Sequence, residues 1–151
     1  MLSGEAMPAE CPAPPSIEIR VAPERSELDR TRLAVLGFLE PYALSARSIY
    51  AVELVLEEAL TNVIAYGFPQ GQAGRVILGV RLLDDVVELC LDDDGIAFDP
   101  LGRQPAPRPA SIEEATPGGL GLQLIQRFSR TVTYRRTNGR NVLTVTVART
   151  S

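Results

Sequence analysis

The sequence predicts an α+β fold, a two-layer α/β sandwich in which about three helices cover a sheet of about five mostly antiparallel strands. Three observations support this prediction. Two segments in the N-terminal half repeat apolar residues at helical spacing. A central stretch alternates apolar and polar residues on both sides of a short polar turn, as a β-hairpin does. The C-terminal stretch alternates in the same way around Asn138-Gly139, a typical two-residue hairpin turn.

The order of the predicted elements follows from these patterns and from the prolines and glycines between them. The elements are a strand at 16–23, a helix from Glu24 to about Leu39, a longer helix from about Ala46 to Tyr66, a hairpin at 75–93 that turns at 83–85, a loop at 94–117, a short helix entered through "GGLGLQLIQRFS", and the closing hairpin.

Composition restricts the classes of function. With 151 residues, 45% of them apolar, the chain is long enough for one domain with its own core. Residues 1–15 are predicted to be a disordered leader and residues 16–151 a single domain. The formal net charge of −4 argues against a nucleic-acid surface, and no apolar run approaches the roughly 18 residues of a membrane span. The two cysteines form no disulfide framework, which favours a reduced, cytoplasmic location.

Two residue types with rich chemistry are missing from the sequence. There is no histidine, and because there is no lysine either, all 15 cationic side chains are arginine. These absences exclude a histidine-based triad, a histidine metal site, a Walker lysine and a Schiff base. The chemistry of this chain must therefore use carboxylates, amides, hydroxyls, backbone groups and arginine.

The second predicted helix carries a polar column along the edge of its apolar stripe. Glu58, Asn62 and Tyr66 are spaced four residues apart and lie one above another on a helix. This column is compatible with an ordinary solvated edge. Asparagine is a mediocre former of helix interiors, however, and an amide oxygen one turn from a carboxylate suits Mg²⁺, which prefers oxygen ligands. A glutamate there could also deprotonate a nucleophile.

The stretch "LDDDGIAFDP" at 91–100 places three aspartates at the end of a strand. An EF-hand calcium loop is excluded, because its first and twelfth ligands would be Cys90 and Leu101. A plain boundary between strand and turn remains compatible with the sequence. Alternatively, one inward carboxylate accepts a hydrogen bond from the exocyclic amine of adenine, and Gly95 lets the backbone pass close to the base.

The stretch "TPGGLGLQLI" lets backbone N–H groups approach a ligand and opens a helix whose N-terminus favours anions. Glycine is common at junctions between loop and helix, so this feature alone is weak. Without lysine, a phosphate chain here must be held by backbone, metal and arginine.

The order of these motifs is more specific than any one of them. "EEALTN" at 57–62, "DDGIAFDP" at 93–100, "GGLGL" at 118–122 and the closing "NVLTVTV" at 141–147 together resemble the GHKL ATPase (Bergerat) fold. Within it, the chain resembles the stand-alone anti-sigma-factor serine kinases of bacterial partner-switching systems. The resemblance covers roughly residues 16 to 148, and it implies a protein that binds ATP or ADP with Mg²⁺.

The resemblance also implies a role for each matching residue. Glu58 would be the catalytic carboxylate and Asn62 the Mg²⁺ ligand. Asp93 would bind the adenine amine and point into the pocket, whereas its two neighbours point away. The other nucleotide-binding residues would be Gly95, Ala97, Phe98, Gly118, Gly119, Leu120, Gly121, Leu122 and, on the last strand, Thr144, whose hydroxyl would back the adenine pocket. A lid is expected at about 99–117.

The implied partners are a sigma factor or similar regulator, a STAS-type antagonist that is phosphorylated on serine, and a second copy of the chain in a homodimer joined through the first strand and helix. The chain departs from the family pattern at Ala97, where a second glycine is common, and at Tyr66, where histidine is common. The lid offers only Arg103 and Arg108 to a γ-phosphate. Two alternatives stay open: a switch that binds ATP and sequesters a partner without kinase activity, and an interaction domain with relic motifs.

Overall fold

The computed structural model of the chain describes residues 13–98 and 121–149. The predicted leader lies outside the described residues except for 13–15. The predicted lid at 99–117 and the site residues Gly118, Gly119 and Leu120 also lie outside them. Within the described ranges, no helix is long and apolar enough to cross a membrane.

Five antiparallel strands form one sheet, which confirms the predicted fold class. The strands are β1 (Ser16–Val21), β2 (Val76–Leu82), β3 (Val86–Asp93), β4 (Thr131–Thr137) and β5 (Arg140–Ala148). Their order in the sheet is β1-β2-β3-β5-β4.

Both predicted hairpins are confirmed by the strand pairing. β2 and β3 are joined at 83–85, and β4 and β5 are joined at Asn138-Gly139, where both residues have positive φ as a tight hairpin turn requires. β3 also pairs with β5, so that Asp93 at the end of β3 lies opposite Asn141 near the start of β5.

Three α-helices cover one face of the sheet: α1 (Glu27–Leu39), α2 (Ala46–Asn62) and α3 (Gly121–Phe128). α1 begins three residues later than predicted, because residues 24–26 form a turn in which the carbonyl oxygen of Glu24 accepts a hydrogen bond from Glu27 N at 3.0 Å. The hydroxyl of Ser45 caps the start of α2 by accepting from Ser48 N at 3.1 Å.

The end of α2 differs from the prediction of one continuous helix to Tyr66. The α-helix ends at Asn62 and continues as a single π-helical turn, Val63–Gly67. A π-helical turn is wider than an α-helical one and is frequent at functional sites. Here it directs the carbonyl oxygen of Gly67 toward the turn after β3, where Ile96 N donates to it at 3.0 Å.

The core lies between the helices and one face of the sheet. The strands contribute alternate residues to it, and α2 contributes its apolar stripe. The fully buried side chains include Leu39, Val52, Val55, Leu60, Leu78, Val80, Val87, Ile125 and Val145. Because successive side chains of a strand point to opposite faces of the sheet, the position of a residue in this alternation, which we call its parity, determines whether its side chain faces the helices or the opposite side.

Candidate functional site

A cleft beside the C-terminal end of α2 brings several of the predicted site residues together. Asn62 from α2, Asp93 from β3 and Phe98 from the turn after β3 all line it. The remaining lining residues are Ala59, Val63, Gly67, Ile125, Val132, Tyr134, Asn141 and Leu143. The cleft thus lies where α2, α3 and the adjoining ends of three strands meet.

Asn62 faces this cleft from the helix side. Its side chain is 5% exposed, and Oδ1 is buried with no hydrogen-bond partner in the part of the chain that the structure describes. Such an orphaned oxygen costs free energy unless a ligand satisfies it. Glu58, one turn earlier, is half-buried, and its pKa is raised because burial disfavours the charged form and because the Glu57 carboxylate is close. A raised pKa suits a carboxylate that accepts a proton.

The three adjacent aspartates have three different environments. Asp92 lies on the opposite face of the sheet and pairs with Arg140, Oδ2 to Nη2 at 2.7 Å. Asp94 is exposed and its Oδ1 accepts from Arg75 N at 2.7 Å. Asp93 alone is buried beside the cleft, with 4% of its surface exposed. This is the arrangement that the sequence predicts, although the role of Asp93 toward adenine stays a prediction.

One oxygen of the Asp93 carboxylate is fixed by the protein. Oδ1 accepts from Gly95 N at 2.9 Å and from Asn141 Nδ2 at 3.0 Å. Oδ2 accepts no hydrogen bond from any of the described residues, so it remains available to a donor in the cleft. Burial raises the pKa of Asp93, and nearby Asp94 adds to that, whereas the two hydrogen bonds and the Arg136 guanidinium lower it.

Gly95 is required by a contact within the protein. A Cβ at this position would lie 2.5 Å from the carbonyl oxygen of Gly67 and 2.9 Å from Asp93 Oδ1. The turn after β3 therefore fits against the π-helical end of α2 only with glycine at this position. The sequence predicts that Gly95 makes room for a base, and the structure adds this backbone contact as a separate reason.

Asn141 is the residue that the sequence prediction missed. It is 4% exposed, and its Nδ2 donates to Asp93 Oδ1 and to the carbonyl oxygen of Ile96 at 2.8 Å. Its Oδ1 accepts from Tyr134 Oη at 2.6 Å and from Arg136 Nη1 at 3.1 Å. The signal for it was present, because asparagine is depleted in strands and this one begins a strand that pairs with the aspartates.

Thr144 requires a correction. The sequence predicts that its hydroxyl backs the adenine pocket, but the structure puts Thr144 on the other face of the sheet, opposite Cys90, where Oγ1 lies 3.8 Å from Cys90 Sγ. The reason is strand parity: Asn141 and Leu143 face the cleft, so Thr144 faces away from it.

The turn after β3 contributes an aromatic wall. The rings of Phe98 and Tyr66 stack with centroids 4.7 Å apart and an interplanar angle of 15°. Ala97 is exposed and does not line the cleft. Tyr66, at the position where the resembled family often has histidine, therefore packs against the turn that follows Asp93.

The apolar face of α3 lines one side of the cleft. Ile125, which is 1% exposed, packs into the cleft from α3. Gly121 and Leu122 begin α3 as the structure describes it, which agrees with the predicted helix after the glycine-rich motif. Their contact with a nucleotide stays a prediction.

The polar atoms that line the cleft are of the chemical types that Mg²⁺ and an adenine nucleotide require. Asn62 Oδ1 is a buried hard oxygen without a partner among the described residues, of the type that Mg²⁺ takes. Asp93 Oδ2 accepts from none of the described residues and can accept from an amine. The cavity between these residues measures about 20 Å³, room for about one water molecule.

Residues 21–147 match the protein family described as histidine kinase-like ATPase domain. The chain belongs to this family. A domain of this family binds ATP, and the assignment of the cleft to the nucleotide stays a prediction.

Two relatives with assigned functions are similar over most of this chain. The chain is 35% identical over 127 residues to serine/threonine-protein kinase BtrW of Bordetella bronchiseptica, covering 82% of this chain and 89% of that protein. It is 28% identical to anti-sigma F factor of Bacillus velezensis, covering 68% of this chain and 70% of that protein.

Solved structures confirm the fold. The RsbU and RsbW domains of Rv1364c from Mycobacterium tuberculosis superpose with a TM-score of 0.63 at 15% identity over 91% of this chain. This chain spans about a third of that structure, 34% of its length. The histidine kinase domain of Erythrobacter litoralis EL346 superposes with a TM-score of 0.52 over 82% of this chain.

Proposed function

We propose that this protein is an ATP-dependent serine-protein kinase and anti-sigma factor of a bacterial partner-switching system. It sequesters a sigma factor or similar regulator and phosphorylates a serine of a STAS-type antagonist. One observation carries the proposal: Asn62 and Asp93, which are distant in the sequence, line one cleft. There Asn62 Oδ1 is buried without a partner, and Asp93 Oδ2 accepts from none of the described residues. The names of the similar proteins, a serine/threonine-protein kinase and an anti-sigma F factor, support the choice of substrate and partner.

The chemistry follows from the residues around the cleft. Asp93 Oδ2 accepts from the adenine amine and so orients ATP. Asn62 Oδ1 would hold Mg²⁺, which would neutralise charge on the phosphates when bound. Glu58, whose pKa is raised by burial, accepts the proton of the serine hydroxyl as its oxygen attacks the γ-phosphorus and the bond to ADP breaks. The protein therefore contributes positioning and a base, which is what phosphoryl transfer requires.

A pair of measurements tests this proposal. Mg-ATP binding is measured by calorimetry on the purified chain, and transfer from γ-labelled ATP is measured on the antagonist that co-purifies with it. We expect Mg-ATP binding in the wild-type chain and in Glu58→Gln, and transfer that is about 10²- to 10⁴-fold slower in Glu58→Gln than in the wild type. Transfer that survived Glu58→Gln unchanged would refute the role of Glu58, and a chain that bound no Mg-ATP would refute the whole proposal.

The same experiment distinguishes a kinase from a switch that binds ATP without phosphoryl transfer. Tight Mg-ATP binding with no phosphoserine on any co-purified protein would favour the alternative, a switch that sequesters a partner without phosphoryl transfer. A sigma-factor partner implies a cytoplasmic location, and a homodimer through β1 and α1 belongs to the same proposal. Sedimentation of the chain with and without Mg-ATP tests the homodimer.

A further inference from the structure

A second cleft lies at the end of the helical layer away from Asn62. It is an open cleft of about 540 Å³ between the start of α2, the end of α3 and the end of β5. Three arginines line it: Arg47 from α2, Arg127 from α3 and Arg130 after α3. We call it the arginine cleft. Its apolar lining residues include Ala51 and Phe128.

Among the described residues, the positive charge of the arginine cleft is only partly balanced. No carboxylate is among its described lining residues, although the whole chain carries a net charge of −4. Arg130 pairs with Asp85 at 2.9 Å, but Arg47 and Arg127 form no ion pair with any residue in the described ranges. Arg127 suits the C-terminus of its helix, whereas Arg47 lies in the first turn of α2, where the helix dipole disfavours a cation.

Aromatic side chains adjoin these arginines. Tyr50 is 56% exposed, and its ring meets the Phe128 ring edge-on with centroids 5.7 Å apart. The guanidinium of Arg127 lies 5.9 Å from the centre of the same Phe128 ring. Arginine and tyrosine are the residues that most often dominate the binding energy of protein interfaces. This composition favours a protein surface as the occupant over a small anion.

The arginine cleft lies within reach of the site of transfer. Arg47 and Glu58 are on the same helix, about 16 Å apart along its axis. A standard protein interface covers about 800 Å² of each partner, which is a patch about 30 Å across. A protein that brings a serine to Glu58 therefore also covers the arginine cleft if it lies along α2 and α3.

We propose that the arginine cleft is the docking surface for the protein substrate, and that it receives an acidic segment of that protein with an apolar side chain against its apolar lining residues. This inference rests on the proposed kinase function and deepens it. Carboxylates of the substrate pair with Arg47 and Arg127, while the apolar side chain packs against Phe128 and Tyr50. The nucleotide cleft makes no use of these residues, so docking and ATP binding can be separated by mutation.

The test uses the double variant Arg47→Glu/Arg127→Glu in the full chain, and its substrate is the unphosphorylated form of the antagonist identified in the assay above. The control is Arg81→Glu/Arg135→Glu, because both are exposed strand arginines that line neither cleft and lie outside β1 and α1, and the net charge changes equally. We expect KM for the antagonist to rise about tenfold or more in the test variant, with kcat and the Kd for Mg-ATP unchanged, and no such rise in the control.

A salt series gives a second measure. KM of the wild type should increase with sodium chloride, and the slope should flatten in the test variant, because the pairs that salt screens are gone. Equal KM values in the test variant and the wild type would overturn the docking surface while leaving the kinase intact. Equal increases in the test and control variants would also overturn it, because the effect would then be one of net charge. Failure of the wild type to bind ATP or phosphorylate any antagonist would overturn the kinase proposal itself, and the docking surface with it.

Discussion

Replacing Asp93 with asparagine changes one atom and tests how the cleft recognises adenine. The wild-type carboxylate keeps Oδ1 on two donors, Gly95 N and Asn141 Nδ2. In the variant the amide oxygen must keep that place, since a flipped amide would put its nitrogen against both donors. The amide nitrogen then takes the place of Oδ2 and faces the adenine amine, which is also a donor. The surrounding hydrogen bonds therefore prevent the variant from restoring an acceptor.

The magnitude follows from the lost hydrogen bond. A hydrogen bond to a charged group contributes about 1.5–3 kcal/mol, which corresponds to about 10- to 150-fold in affinity. The opposed donors add to this loss, so we expect Asp93→Asn to weaken Mg-ATP binding at least about tenfold by calorimetry. Asp94→Asn is the matched control, because Asp94 is exposed and its amide oxygen can still accept from Arg75 N. We expect its Kd to stay within about twofold of the wild type.

Stability should change in the opposite direction to affinity. The pKa of Asp93 is raised in the folded protein, mainly by burial, so the folded state holds its proton more tightly than the unfolded state. The stabilisation from this difference is present below the unfolded pKa, about 3.9, and is lost as pH rises through the folded pKa. At pH 7 the protein therefore carries the cost of a buried charge, which Asp93→Asn removes.

We expect the nucleotide-free Asp93→Asn variant to unfold at the same or a higher urea concentration than the wild type at pH 7. As pH falls toward the unfolded pKa, the stability of the wild type should increase relative to that of the variant, because only the wild type carries the raised pKa of Asp93. A folded Asp93→Asn variant that bound Mg-ATP as tightly as the wild type would refute the assignment of the adenine acceptor. An equal loss of affinity in Asp94→Asn would do the same.

Three further predictions concern the turn after β3, the catalytic base and the core. Gly95→Ala should lower the free energy of unfolding in urea by about 1–3 kcal/mol, because its Cβ would meet the carbonyl oxygen of Gly67. As the control, Gly37→Ala in α1 should raise the free energy of unfolding by about 0.5–1 kcal/mol, because there is open space around its Cβ. Glu58→Gln should lower the rate of phosphoryl transfer about 10²- to 10⁴-fold, and the wild-type rate should rise with pH through the raised pKa of Glu58, because only the ionised form accepts a proton. Leu60→Ala should lower the free energy of unfolding in urea by about 2–5 kcal/mol, because Leu60 is fully buried between α2 and the sheet. A decrease below about 1 kcal/mol would contradict this packing.

The fold was predictable because periodicity is local. The apolar stripe of α2 and the alternation of β2 and β3 are visible in any short window of the sequence, and Asn138-Gly139 specifies its hairpin by backbone conformation alone. Asn62 and Asp93 could be singled out for the same reason, since each is an unusual polar residue at a definite place in a regular element.

The features that were missed depend on contacts between distant segments. The choice of Thr144 over Asn141 on β5 was an error of parity, and parity is set by how β5 pairs with β3 rather than by β5 alone. The π-helical turn after Asn62 depends on the contact between Gly67 and the turn after β3. A helical periodicity that continues to Tyr66 gives no indication of that contact.

The pairing of β3 with β5 also explains how adjacent aspartates coexist. Arg140 pairs with Asp92 on one face of the sheet, and the next residue, Asn141, donates to Asp93 on the other. Two neighbouring residues of β5 thus serve two neighbouring carboxylates with different chemistry, a full positive charge outside and a neutral amide inside. A register slip of one residue at the Asn138-Gly139 turn would exchange them and turn the arginine toward the cleft. The guanidinium would then neutralise Asp93 and compete with an adenine amine for its free oxygen, so the register of this hairpin determines the chemistry of the cleft.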